Sequence, residues 1–538
     1  VLRATGQEAL VLKAREALDV PKDSIVKAVE KCGPRVAVAD VAALSGLDMR
    51  EAQEGVARLA ILVGGDLEVT NDGDIVYNFP PDVRRALLAS SSTARAREAW
   101  EKVAPTLFYI YRTSFGVLLV ASIVVSITVL TLANSSRNND DDRDDGGYSG
   151  GGGGGLMFNP FFNPYGMAFD LFFYRPYYGY YSYNSDPLNY YGDNYQEKRE
   201  PQMGWLEGAY SVLFGDGNPN AQFPAEQLRA AAAVIRANGG AVVAEQIAPL
   251  LSPPDVEGVD EETIVDESFM IPVLATFGGV PKVTDSGDIV YVFPELSATA
   301  VEDYDRAGRA LGFSSWEDVE DLEPYELARL AQDWGVARGK RSMPRNEVED
   351  KLHDAALERL DEAAQSASLT GLKEAQVPFS VAPTSILVIT VVLSVINLAA
   401  VLQLGQLLGA AAVVFPRAPA TEALLRKVFP FMLAYAVTLN AIPPVRWLLN
   451  RRSNKKIRER NSRRERWAAR LRLAGRSTSE AGERVARKLA AAGRMAEGLK
   501  VLGRPDEIYY STKEDTTERI NKDELDKFDR SLGAGEER

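Results

Sequence analysis

Apolar residues recur at spacings of three and four over the first part of the chain, and residues 1–33 read as helical. Ile25, Val26 and Val29 line one side of a stretch opened by Pro21, and Val56, Leu59, Ala60 and Val63 share a face after Asp48. Asp48 with Glu51 three residues on has the pattern of an N-cap and capping box. Between these helices the sequence predicts a short strand over 36–38, a helix over about 40–45 and a turn at Gly46. Gly64 and Gly65 then end the helical pattern, and the period drops to two. Leu67 and Val69 precede a turn through Asn71, Asp72 and Gly73. Ile75 and Tyr77 follow on one face with Val76 on the other, which is a hairpin.

The pattern is written twice. VTNDGDIVYNFP at 69–80 returns as VTDSGDIVYVFP at 283–294, with nine of twelve positions identical at an offset of 214. Gly278 and Gly279 repeat Gly64 and Gly65 at the same offset. The second copy reads as a helix over 227–237, a strand over 241–243 and a helix over 244–251. An acidic insertion, DVEGVDEETIV, precedes a helix ending at Phe277. Helix, strand, helix, helix and hairpin is the order of a winged helix, so the expectation is an internal duplication of a winged-helix-like module. The fold class is α+β and mostly helical, with modules over 1–103 and 204–300.

Three apolar runs lie outside the modules. Residues 107–133 and 385–415 are each long enough to span a bilayer, which takes about 20 residues. Residues 428–449 contain Pro430, Pro443 and Pro444, and either span or re-enter. Asn397, Gln403 and Gln406 interrupt the second run and are candidates for hydrogen bonds to neighbouring helices. Residues 134–203 form an acidic, Gly-rich linker followed by an aromatic segment over 156–195 with sixteen Phe and Tyr. That segment reads either as lying at the headgroup boundary or as low-complexity linker. A charged helical region over 301–384, a basic helical tail over 450–504 and a segment over 505–538 complete the chain. Lys and Arg before the first run and after the third both mark the inner side of a membrane. Three full crossings would put these two clusters on opposite sides, so the charge rule conflicts with three spans.

Charge is unevenly spread. Of a formal net of −14, residues 255–325 hold eighteen acids against three bases, and residues 450–504 hold eighteen bases against five acids. The basic tail suits lipid phosphate, or a solvated juxtamembrane anchor, better than nucleic acid. The first module has sixteen acids and fourteen bases, and its third helix offers only Arg50 and Arg58. Such surfaces favour contacts with proteins over DNA. One cysteine, Cys32, and one histidine, His353, leave no zinc or iron–sulfur ligand set. His353 lies on an exposed-looking helix with no nucleophile motif beside it. FGDGNPN over 214–220 has the residue types of a cation loop without its ligand spacing, and reads as a turn joining helices. No catalytic, cofactor-binding or metal-binding residue is assigned, and no enzymatic activity is expected.

SGLDMREAQEGVARLA with GDIVYNFP, LFGDGNPN, GDIVYVFP and IYYSTKEDTTERINKDELDKFDRSL together resemble a family of plant and algal chloroplast membrane proteins with cyanobacterial relatives. Some plant members carry the label "iron-sulphur cluster biosynthesis family protein". The resemblance implies a plastid location, at the inner envelope or thylakoid. It transfers no catalytic residue, and any part in cluster assembly would run through recruitment of other proteins. The expected function is a non-enzymatic scaffold, assembly factor or adaptor, with lipid and chloroplast membrane or stromal proteins as partners. The alternative is a membrane-anchored protein tethering DNA or RNA through the basic tail.

Overall fold

The computed structural model describes residues 19–138, 205–251, 253, 267–313, 315–336, 343–409, 419–474, 480–504 and 507–512. The aromatic segment 156–195, the first eighteen residues and most of the acidic insertion lie outside the described residues. The chain is mostly helical with three small sheets.

In the first unit, α1 (Asp23–Cys32), β1 (Arg35–Ala37), α2 (Val38–Ser45), α3 (Met49–Val63), β2 (Asp66–Thr70) and β3 (Ile75–Asn78) follow in order. Ile25, Val26 and Val29 of α1 share a core with Val56 and Leu59 of α3, as their spacing requires. Asp48 caps α3 by accepting from the Arg50 N–H at 2.8 Å, whereas Glu51 pairs with Lys22 instead of closing a capping box. Next come α4 (Val83–Ser90), α5 (Ser92–Asn138) and α6 (Trp205–Phe214). The second unit then repeats the order with α7 (Phe223–Ala237), β4 (Ala241–Val242), α8 (Ala244–Leu251), a 3-10 turn leading into α9 (Ile271–Phe277), β5 (Val280–Val283) and β6 (Ile289–Val292).

From the paired glycines through the hairpin, local geometry agrees position by position at the 214 offset. The two sheets have matching antiparallel order, β1-β3-β2 and β4-β6-β5. Each hairpin closes through threonine: Thr70 N–H donates to Asp74 O at 2.9 Å, and Thr284 N–H to Asp288 O at 2.8 Å. The threonine hydroxyls accept from Asp74 and Asp288 N–H, both at 3.1 Å. Gly64 and Gly278 end α3 and α9 at φ 75° and 65°, in the left-handed region where glycine is unstrained. A Cβ on Gly65 would collide with the Asn78 carbonyl oxygen, and one on Gly279 with the Phe293 ring and Leu274.

The alternation puts Ile75 and Tyr77 on one face and Val76 on the other, and both faces of the inner strands β3 and β6 are covered while the edge strand β5 stays exposed. Tyr77 enters the first core, while Val76 on the opposite face meets Ala300 and Leu502. In the second unit Tyr291 is inside, and Val290 and Val292 are covered by Ala491 and Ala492. The covering residues come from β7 (Ala298–Thr299) and its flanks and from the C-terminal part of the chain, beyond the reach of any local pattern.

The charged region forms α10 (Asp303–Ala310), α11 (Glu317–Glu320), α12 (Pro324–Asp333) and α13 (Arg345–Thr370) around Trp316, Leu327 and Leu352. The two long helices α14 (Thr384–Gly409) and α15 (Pro419–Leu473) follow, then α16 (Glu480–Met495), β8 (Lys500–Val501) and β9 (Ile508–Ser511). Three helices, α5, α14 and α15, are long and apolar enough to cross a membrane. Pro430, Pro443 and Pro444 do not interrupt α15, which runs for 55 residues, about 80 Å.

Buried positions Thr390, Ser394, Asn397, Val401, Leu404 and Leu408 trace the seam of α14 at alternating spacings of four and three. Small residues let helices close up: Gly116 faces Leu206 of α6, and Gly405 faces the Phe429 ring. Of the polar residues in this run, Gln403 and Gln406 point outward. The amide bond across helices is made by Asn440, which donates to Ser394 O at 3.0 Å.

Candidate functional site: the membrane-proximal junction

The turn FGDGNPN follows α6 where the apolar bundle meets the rest of the molecule. Gly215 and Gly217 take φ of 78° and 98°, which lets the chain reverse around Asp216. The Asp216 carboxylate accepts from Arg112 of α5 at 2.6 Å, from the Ser211 hydroxyl at 2.6 Å and from the Val381 N–H at 2.9 Å. The Ser211 and Ser380 hydroxyls are 2.5 Å apart. Arg446 of α15 donates to Ser211 O at 2.8 Å and Val212 O at 2.5 Å, satisfying carbonyls that end α6. Its guanidinium lies 4.3 Å over the Phe379 ring. One turn thereby gathers α5, α6, α15 and the segment leading into α14.

That segment, residues 371–383, has no helix or strand of its own, so its backbone groups need partners from elsewhere. Asparagines supply them. Asn461 accepts from Glu374 N–H and donates to Glu374 O, both at 2.9 Å. Asn454 does the same for Val377 at 2.8 and 2.9 Å. Asn220, from the FGDGNPN turn, serves both backbone groups of Ala375 at 2.8 and 2.7 Å. Each amide offers one donor and one acceptor in the spacing of a strand neighbour.

Glu374 fixes the same segment by charge. It accepts from Arg460 Nε and from Arg464 Nη2, both at 2.7 Å. Burial pushes its carboxyl up, but the two guanidiniums more than offset this and hold it below the ordinary carboxylate value. The basic run after the third apolar stretch therefore has two faces. One carries Asn454, Ile457, Asn461 and Arg464 inward, and the other exposes Arg451, Arg452, Lys455, Lys456 and Arg458. The seven-residue interval between Asn454 and Asn461, two helical turns, was the available signal for a shared face, and counting charge alone passes over it.

A second polar junction joins the two units. Asp40, at the start of α2, is buried and accepts from Arg236 at 2.6 Å, Thr299 Oγ1 at 2.7 Å and Ala300 N–H at 2.9 Å. Gln246, near the start of α8, accepts from Val243 N–H at 3.0 Å, as Asp40 does from Ala37 N–H at 3.2 Å. The C-terminal part then straps both units. Buried Lys488 reaches Glu245 at 2.9 Å and Glu267 at 2.8 Å. β8 pairs with β7, and β9 extends the first sheet beside β2. Lys500 contacts the hairpin aspartates Asp72 and Asp74 at 2.7 and 3.2 Å.

The two singular residues take structural places. Cys32 is buried in the first core, and burial pushes its thiol well up, away from the reactive thiolate. His353, expected on an exposed face, packs at a tilt against the Tyr304 ring, centroids 4.4 Å apart, and edge-on to Trp316 at 5.7 Å. Among the described residues, no group of three or more His, Cys, Asp or Glu is placed to hold a metal ion. The junctions hold elements together by pairing each buried carboxylate with guanidinium, ammonium, hydroxyl or amide donors.

No family model and no solved structure matches the chain. A chloroplastic protein of Arabidopsis thaliana, described as uncharacterized, is 31% identical over 506 residues, covering 94% of this chain and 80% of the relative. The chain belongs to this chloroplast protein family.

Proposed function

We propose that this is a multi-pass chloroplast membrane protein whose two winged-helix-like units, related by duplication, act as a non-enzymatic adaptor for other proteins. The matched order of elements, the shared hairpin bonds and the paired Asp40 and Gln246 caps support the duplication. Topology follows from the junctions. The first unit leads into α5, α6 ends at Asp216, α14 starts beyond Ser380, and α15 passes Arg446 on leaving the bundle. Both units, the charged region and the C-terminal strap therefore share one side. Both basic clusters lie on that side too, which fits the charge rule once the chain crosses back between the end of α5 and Asp216, a fourth crossing beside the three long apolar helices.

One observation carries the adaptor reading. In the second unit the helix and strand that a DNA-binding winged helix would present to phosphate expose Ile271 (63%), Val280 (51%) and Val283 (70%), with Lys282 the one cation of β5. In the first unit Arg58 is already paired with Glu54. Apolar side chains left exposed on the helix and on the edge strand suit a protein partner better than phosphate. A link to iron–sulfur cluster assembly would be indirect, since the single thiol is buried. The test is affinity capture of the full chain from solubilised chloroplast membranes. Ile271→Asp with Val283→Asp should abolish co-purification of specific proteins while leaving the far-UV circular dichroism spectrum intact. Capture that is unchanged by the double variant would overturn the reading, as would DNA binding by the full chain that survives physiological salt.

A further inference from the structure

The exposed face of α15 just beyond the bundle is unspent charge. On α5, which leaves the bundle on the same side, two of the three cations before the apolar run are neutralised within the helix, Arg97 by Glu101 at 3.2 Å and Lys102 by Glu98 at 2.7 Å, and Arg95 alone is exposed without an ion pair among the described residues. α15 differs. Arg451, Arg452, Lys455, Lys456 and Arg458 are exposed, and the nearest acid to any of them is Glu459, 3.9 Å from Lys455. Arg452, Lys456 and Arg458 have no carboxylate partner among the described residues. Trp447, 52% exposed, precedes them and lies under the Arg451 guanidinium at 5.5 Å.

We infer that this face is a binding surface for anionic lipid headgroups. A tryptophan followed by cations is the order in which a helix leaves hydrocarbon for headgroups. At about 1.5 Å per residue, Trp447 to Arg458 spans roughly 16 Å, so the first four cations lie within the headgroup layer and one screening length of it. The opposite face of the same turns is locked to residues 374–377 by Asn454 and Asn461, so the cations are held at a set height and direction. The chain carries a net −14, and an anionic membrane would repel most of its surface. A local cationic face at the lipid line lets the soluble units sit close to such a membrane.

The inference rests on the membrane-spanning reading, and one preparation separates the two. The full chain is reconstituted in nanodiscs of equal parts phosphatidylglycerol and phosphatidylcholine, and lipids retained on release are counted by native mass spectrometry. Failure to enter nanodiscs would remove the spanning reading itself, and the inference with it. Given insertion, the native chain should retain phosphatidylglycerol preferentially. Arg452→Gln with Lys455→Gln and Lys456→Gln should insert equally and lose that preference by on the order of tenfold. Arg85→Gln, on the first unit, should keep it. Equal retention of the two lipids by the native chain, or undiminished preference in the triple variant, would overturn the inference. So would a short single-stranded RNA bound at physiological salt through these same three residues.

Discussion

Glu374 shows how much one carboxylate organises. It is 8% exposed, bridges Arg460 and Arg464, and its own backbone is held by Asn461. Its carboxyl is held below the ordinary value of 4.5, so the native state favours the charged form. A depressed carboxylate contributes stability above its unfolded value and loses it as pH falls through its folded value. The melting temperature of the detergent-solubilised chain should therefore lose this contribution as pH falls below about 4.5. Glu374→Gln should lower the melting temperature at pH 7 and flatten that part of the acid dependence, as followed by differential scanning fluorimetry. An equally steep acid dependence in the variant would remove Glu374 from the account. Residue types here were plain in the sequence; which Arg met which Glu, nearly ninety positions away, was not.

At the scale of elements, the two hairpins teach most by their difference at Leu67 and Pro281. Their registers match, Leu67 opposite Tyr77 and Pro281 opposite Tyr291. Leu67 donates its N–H to the Thr512 hydroxyl at 2.8 Å and accepts from Thr512 N–H at 3.0 Å, tying down β9. Pro281 stands at the equivalent position and has no N–H to offer. Proline on an edge strand blocks further pairing, so the same hairpin accepts a fourth strand in one unit and refuses it in the other. Leu67→Pro should release β9, giving faster amide exchange over 507–512 with the rest of the chain unchanged. Pro281→Val should restore an open edge and raise the self-associated fraction in size-exclusion chromatography. Unaltered exchange in the first variant would show that β9 is held by other contacts. The hairpins themselves were legible from their alternation and turn residues. The burial of both their faces was not, because Leu502 and Ala491 lie more than two hundred residues away from one or the other hairpin.

For the whole molecule the decisive feature is that ion pairs join the two units to each other and to the ends of the apolar helices. The Asp40–Arg236 pair and the Asp216–Arg112 pair are incompatible with units on opposite faces of a membrane. Cys32 makes a direct test simple, since its burial leaves it silent to thiol reagents. Arg85→Cys and Arg472→Cys, each introduced alone, should be labelled by a membrane-impermeant maleimide from the same side of sealed membranes and protected from the other. Labelling of the two from opposite sides would break the shared-side arrangement.

While the Pro-containing third run stayed open between a span and a re-entrant segment, residue order alone was enough for the two hairpins, the first two apolar helices and the want of a thiolate or histidine cluster. These follow from side-chain periodicity and residue counts, which act over a few turns or need no geometry. Only the tertiary structure decided that the units dock through Asp40, that the C-terminal strands and α16 cover both sheets, and that half of a basic tail faces inward. Those outcomes depend on contacts between distant parts of the chain, where a single buried carboxylate or a missing N–H selects among arrangements that local patterns leave equal.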